Sequence, residues 1–221
     1  MSWKTIRPTP SRIQINMDNF IALIVKYVGK EGVHTIVDAG SLDGNDAELL
    51  WKAFPESKSY AIEGLPDNFN TFIKNRLNIT GIHAVIASHD GECTYYQKDT
   101  NGIHGIYDRG SYYGTRTLTL PCYTMDTIMK NNDIKSIDVI KIDVEGATLD
   151  LLQSFSDDQL HGIKIMHIET ETYPFFKGQK LHEEVCEFLE NNHFKCVDMT
   201  YAEITPGCYQ SDSVWVNKKF I

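Results

Sequence analysis

Apolar and polar residues alternate along this chain with two different periods. Residues 16–28 place apolar side chains three or four positions apart, which predicts an amphipathic helix that ends at Gly29. Beyond this helix, short apolar runs rich in β-branched residues predict strands, and helical patterns separate most of them. The predicted strands comprise residues 35–37, 59–62, 83–87, 137–142, 163–168, 194–199 and 213–216, with further extended segments at 91–97 and 118–121, and the predicted helices comprise residues 46–54, 68–77, 125–130, 148–155 and 181–191.

This order of elements predicts an α/β fold built on a doubly wound, mostly parallel sheet. The last two predicted strands follow one another without a helix, so we expect the last strand to be antiparallel. A length of 221 residues with 42% hydrophobic content fits one globular domain with an ample core. We therefore expect an N-terminal arm and helix over residues 1–32 and a single domain over residues 33–221.

The charge of the chain narrows the class of partner. The formal net charge is -9 and no long run of Lys or Arg occurs, which argues against nucleic acid or an anionic membrane surface as the main partner. A neutral small molecule or a glycan fits this charge better. No apolar run is long enough to span a bilayer, and the first ten residues lack an apolar leader. The five cysteines show no zinc-ligand spacing, so we expect a cytoplasmic protein with reduced thiols.

A glycine-containing loop follows the first predicted strand. It reads Asp38-Ala39-Gly40-Ser41-Leu42-Asp43-Gly44, and its glycines allow backbone to approach a ligand closely. A pyrophosphate site needs G-x-G-x-x-G, whereas here Leu42 takes the middle position and Asp43 and Asp46 add negative charge. These carboxylates suit a cation, such as the amino group of S-adenosylmethionine. The alternative is a tight strand-to-helix turn with a capping Asp.

Glu63 ends the next predicted strand, 25 residues after Asp38. An acidic residue at about this distance, roughly 20 residues beyond a glycine loop, can accept both hydroxyl groups of a ribose. The alternative is an exposed or helix-capping acid before Pro66. Taken with the glycine loop, Glu63 favours a nucleoside-binding site.

Two segments in the second half of the chain resemble a known family. They are Thr124-Met125-Asp126-Thr127-Ile128 and Ile137-Asp138-Val139-Ile140-Lys141-Ile142-Asp143-Val144-Glu145-Gly146-Ala147. The second, with its KIDVEGA core, is the more specific. Together they resemble the signature of the FkbM-type S-adenosylmethionine-dependent methyltransferases, over about residues 35–217. The resemblance implies a Rossmann-like sheet of about seven strands and O-methylation of sugar or polyketide hydroxyl groups.

The same resemblance implies a set of cofactor contacts. Position by position, the glycine loop would surround the methionine end of S-adenosylmethionine, Glu63 would hold the ribose, and residues after the third strand would lie beside the adenine. The candidate cofactor residues are Asp38, Gly40, Ser41, Asp43, Gly44, Glu63, Ala87 and Ser88.

Acidic residues gather at the ends of two later strands. Asp143 and Glu145 follow the strand at 137–142, and Glu169 and Glu171 follow the strand at 163–168. Because neighbouring parallel strands end at the same edge of a sheet, we expect Asp143 and Glu169 to converge. They could hold Mg²⁺, which would polarise a hydroxyl group, or one carboxylate could act as general base. Lys141 is expected to neutralise the cluster. The alternative is that Asp143 and Glu169 only orient backbone and substrate.

Histidines and a glycine- and tyrosine-rich loop add further candidates. His182 is a candidate base, so the candidate catalytic residues are Asp143, Glu145, Glu169 and His182. The loop at 102–114 has the composition of a lid that contacts the acceptor, or of a flexible hairpin whose rings pack on the domain. Residues 173–177 are a second candidate acceptor wall. The candidate substrate contacts are His104, Tyr107, Arg109, Tyr112 and Glu171.

These features predict an S-adenosylmethionine-dependent O-methyltransferase that acts on a hydroxyl of a sugar, a glycan or a related polyhydroxylated molecule. Two alternatives stay open. One is an NAD(P)-dependent oxidoreductase, against which the missing G-x-G-x-x-G counts. The other is a non-catalytic binding module with the same fold, against which the intact acidic cluster counts.

Overall fold

The computed structural model describes residues 15–97, 102–108, 110, 116–175 and 177–221. Its strands, in chain order, are β1 (Thr35–Ala39), β2 (Lys58–Glu63), β3 (Thr80–His83), β4 (Val85–Ile86), β5 (Gly91–Gln97), β6 (Arg116–Tyr123), β7 (Val139–Ile142), β8 (Ile165–Glu171), β9 (Phe194–Thr205) and β10 (Cys208–Asn217). Its helices are α1 (Met17–Tyr27), α2 (Asn45–Ala53), α3 (Pro66–Asn68), α4 (Met125–Asn131), α5 (Thr148–Gln153), α6 (Asp157–Gly162) and α7 (His182–Asn191).

Seven strands form the main sheet, in the order β3-β2-β1-β7-β8-β10-β9. The pairs from β3 to β8 are parallel, and β10 is antiparallel to both β8 and β9. The predicted mostly parallel sheet with an antiparallel last strand is therefore confirmed. Because β2, β1 and β7 are parallel, the turns that follow them lie along one edge of the sheet. The strand order also reverses between β1 and β7, and open α/β sheets bind ligands at such a point.

The predicted third strand, residues 83–87, is wrong as a single element. The main sheet instead uses Thr80–His83, which pairs with β2, and the chain then leaves the sheet. Val85 and Ile86 pair with β6 in a separate three-stranded sheet of order β4-β6-β5. In this small sheet the two segments that were expected to be extended, as β5 and β6, pair in antiparallel fashion.

Helices cover both faces of the main sheet. On one face, α1 buries Phe20 and Ile24 completely, and the side chain of Asn16 caps the helix by accepting from the backbone N–H of Asn19 at 2.9 Å. On the other face, α4, α5 and α7 cover the larger apolar core, which contains the fully buried Trp215.

Two helical predictions differ from the structure. The predicted helix at 68–77 is shorter, since α3 passes directly into a π-helical turn at Phe69–Ile73. Helix α6 was not expected because six residues are too few for a periodic pattern. None of the helices in the described part of the chain has the length and apolar character needed to cross a bilayer.

Candidate active site

A cleft of about 540 Å³, counted with its open mouth, lies beside the carboxyl ends of β1, β2 and β7. Carboxylates from different strands meet here, because Glu63 ends β2 while Asp143 and Glu145 follow β7. The sheet topology thus brings together the two regions that the sequence singled out.

Gly40 allows the turns after β1 and β7 to touch. Its φ is +80°, and a Cβ placed on it would lie 1.8 Å from the carbonyl oxygen of Asp143. The backbone N–H of Asp143 also donates to the carbonyl of Ala39 at 2.9 Å. Any larger residue at position 40 would force the two turns apart, and with them the floor of the cleft.

Glu63 lines the cleft and also organises the turns around it. Its two oxygens accept backbone N–H groups, one from Leu42 at 2.9 Å and one from Leu65 at 2.7 Å. Burial raises the pKa of Glu63 to about 7, although these two backbone hydrogen bonds oppose the shift. At neutral pH this carboxyl group is therefore close to the midpoint of its titration.

The raised pKa predicts how stability depends on pH. Because the folded pKa of about 7 exceeds the ordinary 4.5, the protonated form is favoured in the folded state. The stabilisation that protonated Glu63 gives to the folded state is fully present below about pH 4.5. It is lost as the pH rises through 7, and the free energy of unfolding falls by about 3 kcal/mol. Urea unfolding of the wild type and of Glu63→Gln from pH 4.5 to 7.5 measures this, and the decline in the variant should be smaller by the share that belongs to Glu63. Parallel curves for the two proteins would contradict the assignment.

Asp38 lies beneath the cleft, fully buried, and does not line it. The hydroxyl of Ser41 donates to its Oδ2 at 2.5 Å, and Lys141 Nζ lies 4.0 Å from its Oδ1. Burial raises the pKa of Asp38 to about 6, with the charge of Lys141 acting in the opposite direction. Ser41 and Lys141 thus hold the Asp38 side chain in place at the start of the glycine loop.

Lys141 connects three carboxylates, one from β1, one from the first turn of α2 and one from the turn after β7. Its Nζ lies 3.1 Å from Asp143 Oδ2 and 3.3 Å from Asp46 Oδ2, in addition to Asp38. Burial alone would lower the pKa of Lys141, but these carboxylates raise it well above its ordinary value. The expected neutralising role of Lys141 is consistent with this geometry.

The rest of the glycine loop is held by local contacts. Asp43 accepts the backbone N–H of Asn45 at 2.9 Å, and Arg76 donates to the carbonyl of Asp43 at 2.8 Å. A Cβ on Gly44 would meet Arg76 and Ile79 at 3.1 Å, so this glycine faces the protein interior. Neither Asp43 nor Gly44 lines the cleft, whereas Gly40 and Leu42 do.

Three carboxylates converge next to the cleft. Asp143, Glu145 and Glu169 each place an oxygen so that all three lie within 4.8 Å of one another, a spacing compatible with a metal ion. Glu145 has the left-handed φ of +48° and precedes Gly146 at +86°, so the turn after β7 is sharply bent. The expected convergence of Asp143 and Glu169 is thus seen, with Glu145 as a third member.

Glu169 is the member of this cluster that comes from β8. It lies within β8 rather than beyond its end, and Gln210 Nε2 donates to its Oε1 at 2.6 Å. Burial raises the pKa of Glu169 well above its ordinary value, and the charges of Asp143, Glu145 and other nearby acids add to the shift. Of the three carboxyl groups, Glu169 therefore has a clear reason to hold a proton.

The segment 102–108 forms a roof over the cleft. Gly102, His104, Gly105 and Ile106 line it, and a Cβ on Gly105 would lie 3.4 Å from the carbonyl oxygen of Glu145. Gly105 is also bridged to Tyr96 by two backbone hydrogen bonds of 2.7 and 3.2 Å.

The outer end of the roof is attached to helix α5. The hydroxyl of Tyr107 donates to Asp150 Oδ2 at 2.8 Å, and the backbone N–H of Lys177 donates to the carbonyl of Asp108 at 2.9 Å. Within the roof, His104 is half-buried, and burial lowers its pKa. The predicted contacts Arg109 and Tyr112, and Phe176 of the second acceptor wall, lie outside the described residues.

His182 is not placed at the cleft, which corrects its assignment as a base. It is buried on the face of the sheet covered by α7, with Nδ1 2.8 Å from Thr170 Oγ1 and Nε2 3.2 Å from the Tyr201 hydroxyl. Burial lowers the pKa of His182 to about 4. A neutral imidazole enclosed by these partners is a packing residue rather than one that reaches a substrate.

Three other expected residues also lie away from the cleft. Glu171 is buried and accepts from Gln179 Nε2 at 2.9 Å, which ties the segment after β8 to the end of that strand. Ala87 is buried in the small sheet and Ser88 is exposed, because the chain leaves the main sheet earlier than expected. Residues 84–86 take the expected place beside the cleft instead.

Tyr95 is a cleft residue that the sequence reasoning missed. It lies on β5, is buried, and shares an apolar cluster with Val85. Burial raises its pKa well above the ordinary value, and the charges of Glu63 and Glu145 add to the shift. Alternation along residues 91–97 indicates an inward face, but only the pairing with β6 shows that this face turns towards the cleft.

Comparison with known proteins agrees with this architecture. The family profile described as Methyltransferase FkbM domain matches residues 38–196. TrmK of M. capricolum, solved in complex with S-adenosyl-homocysteine, is 13% identical with a TM-score of 0.51, over 91% of this chain and 69% of that one. The METTL16 MTase domain is 12% identical with a TM-score of 0.51, over 96% and 70%.

A methyltransferase FkbM from Methylobacillus flagellatus KT is 11% identical with a TM-score of 0.48, over 81% of this chain and 43% of that one. None of the curated proteins matches the sequence. At such identities, TrmK and the METTL16 domain demonstrate a shared fold. The expected Rossmann-like methyltransferase sheet is thereby confirmed.

Proposed function

The chain belongs to the FkbM methyltransferase family, and from that premise we propose that it is an S-adenosylmethionine-dependent O-methyltransferase acting on a hydroxyl of a sugar or glycan. The observation that carries the proposal is one cleft with two chemically different ends. Glu63 stands at one end, and Asp143 and Glu145 stand at the other.

The end of the cleft near Glu63 suits a nucleoside. Glu63 provides carboxylate oxygens for ribose hydroxyls, and an apolar wall of Val85, Ile86 and Tyr95 suits the face of an adenine ring. Gly64 keeps this wall accessible, since a Cβ there would lie 3.0 Å from Val85 and 3.1 Å from Tyr95. The residues present therefore fit S-adenosylmethionine, which supplies an activated methyl group on a sulfonium ion.

The acidic end of the cleft suits a hydroxyl acceptor. Asp143 and Glu145 line the cleft and can accept hydrogen bonds from sugar hydroxyl groups. Two routes of activation fit their geometry. A carboxylate of the Asp143, Glu145 and Glu169 cluster takes the hydroxyl proton, or the three carboxylates hold a divalent cation such as Mg²⁺ and so lower the pKa of the hydroxyl.

The roof over the cleft supports a transfer reaction. Its residues His104 and Ile106 exclude water from the space between the two ends, and its contacts with the Glu145 turn and with Asp150 hold it in place. Methyl transfer requires alignment more than proton chemistry, and fixed positioning of this kind can lower a barrier by about 7–11 kcal/mol in favourable systems.

A methyl-transfer assay tests the proposal. Labelled S-adenosylmethionine is offered with a panel of monosaccharides and oligosaccharides, and with an RNA as a contrasting acceptor, each with chelator and with added Mg²⁺. We expect label in a sugar ether. Turnover that survives the chelator would assign activation to a protein carboxylate, and turnover restored only by Mg²⁺ would assign it to the metal.

Calorimetric titration with S-adenosylmethionine and with NAD(P)H separates the proposal from its alternatives. Binding of NAD(P)H in place of S-adenosylmethionine would overturn it in favour of an oxidoreductase. Tight binding of S-adenosylmethionine without transfer to any acceptor would favour a non-catalytic module.

A further inference from the structure

We infer that Gln210 of β10 is a positioning residue that holds the Glu169 carboxylate towards Asp143 and Glu145. The inference rests on the proposed function, because it concerns the carboxylate cluster that would activate the acceptor. Gln210 lies on the antiparallel strand next to β8, beyond residues 38–196, which the family profile matches. It does not line the cleft, so it would act through Glu169.

In the contact between Gln210 and Glu169, the amide is the donor and the carboxylate is the acceptor. Gln210 is in register with Glu171, two pairs away from the Asp212–Glu169 pair, and its side chain reaches diagonally along the strands to Glu169. The amide Nε2 donates to Glu169 Oε1 at 2.6 Å. A neutral amide donor fixes the orientation of a carboxylate and leaves its negative charge in place, whereas the ammonium group of a lysine would neutralise that charge.

Glu169 needs such a partner because its surroundings repel it. Asp143 and Glu145 lie on one side, with oxygens within 4.8 Å of Glu169, and buried Asp212 faces it from β10. When Glu169 is ionised, as a general base or a cation ligand must be, like charges at this spacing favour rotation of its side chain away from the cluster. The hydrogen bond from Gln210 holds one oxygen, and the rest of the carboxylate is kept next to Asp143 and Glu145.

The chain contains a matched pair that separates positioning from packing. Gln179 Nε2 donates to Glu171 Oε2 at 2.9 Å, again a glutamine amide on a glutamate of β8. Glu171, however, is not part of the three-carboxylate cluster. Loss of the Gln179 amide therefore removes an equivalent hydrogen bond two residues further along the same strand.

The experiment compares Gln210→Met with Gln179→Met, each of which removes the amide and keeps the length of the side chain. We expect Gln210→Met to lower kcat at least tenfold while the calorimetric Kd for S-adenosylmethionine changes less than twofold, and Gln179→Met to leave kcat within twofold. Gln210→Asn, whose side chain is one methylene too short for its amide to reach Glu169, should lower kcat as much as Gln210→Met does. It replaces Gln210→Met in the comparison if the Met variant does not fold. Equal losses of kcat in the Gln210 and Gln179 variants, or none in either, would overturn the inference.

A double-mutant cycle tests whether Gln210 acts through Glu169. In a Glu169→Gln background, Gln210→Met should lower kcat by less than twofold further, because the carboxylate it positions is already gone. Two full, multiplicative losses would overturn the inference even if each single variant is slow.

A crystal structure of Gln210→Met supplies a readout that does not depend on turnover. We expect the Glu169 carboxylate to have rotated away from Asp143, and an unmoved carboxylate would overturn the inference. If no acceptor is methylated by the wild type, the proposed function fails, and this structure alone decides the role of Gln210.

Discussion

Asp143→Asn is expected to lower kcat for methyl transfer roughly 10²- to 10⁴-fold, the usual range for loss of a group that moves a proton or binds an activating ion. Asp143, like Glu145, lines the cleft, and it lies close to both other carboxylates of the cluster. Asparagine keeps the size of the side chain but can neither take a proton nor bind a cation as strongly. The affinity for S-adenosylmethionine, measured by calorimetry, should change much less than kcat.

Asp46→Asn is the matched control for this variant. Asp143 also forms an ion pair with Lys141 at 3.1 Å, so part of any loss could come from that pair. Asp46 pairs with the same Lys141 at 3.3 Å but does not line the cleft. If Asp46→Asn were as slow as Asp143→Asn, or if Asp143→Asn kept kcat within threefold of the wild type, the catalytic role of Asp143 would be wrong.

Lys141→Met is expected to have the largest effect on stability, lowering the free energy of unfolding by about 3–5 kcal/mol at pH 7, the usual result of removing one partner of a buried ion pair. The Lys141 side chain is only 12% exposed, and it approaches Asp38, which is fully buried. Methionine fills a similar space but leaves the charge of Asp38 without compensation. Chemical denaturation followed by circular dichroism measures the change.

Two comparisons separate this effect from general damage. Lys180→Met removes an exposed ion pair with Glu184, whose side chains are 50% and 47% exposed, and should change stability by less than about 0.5 kcal/mol. The double variant Lys141→Met/Asp38→Asn should recover much of the lost stability, because no uncompensated Asp38 charge remains. A double variant that is less stable than Lys141→Met would sink the explanation.

The pH dependence of the Lys141→Met defect gives a third comparison. The folded pKa of Asp38, about 6, lies above its ordinary value of 3.8. Its favourable contribution is therefore present below pH 3.8 and lost as the pH rises through 6, and removal of Lys141 strengthens that loss. The destabilisation should be smaller at pH 4 than at pH 7, where Asp38 would have to be charged.

Much of the fold follows from local patterns. Strands β1, β2, β7 and β8 are short apolar runs ended by polar residues, and the periodicity of α1 is strong enough to place it within one residue of its observed bounds. The absence of a helix between β9 and β10 predicted the antiparallel last strand. The segment from Ile137 to Gly146 also predicted the position of the site, because a parallel sheet binds its ligands beyond the carboxyl ends of its strands.

Where a segment could pair equally well with either of two strands, the sequence alone does not determine which pairing forms. Residues 84–87 are apolar in either case, yet the strand pairing with β2 ends at His83 and pairing with β6 begins at Val85. For the same reason Ala84, Val85 and Ile86 lie beside the cleft, where Ala87 and Ser88 were expected. Strand pairing is a long-range choice that side-chain alternation does not contain.

By itself, then, the sequence determined the doubly wound sheet, the family and the edge at which chemistry is expected, since these depend on periodicity and on a contiguous motif. Only the tertiary structure decided which polar residues act together. The sequence offered His182 and Glu171 as candidates beside Glu169, but His182 is buried at the start of α7 and Glu171 accepts from Gln179, whereas Glu169 joins the carboxylate cluster with Asp143 and Glu145. Gln210 and Tyr95 lie near the site because β10 pairs with β8 and β5 pairs with β6. The register between paired strands, rather than composition, determines which side chains meet.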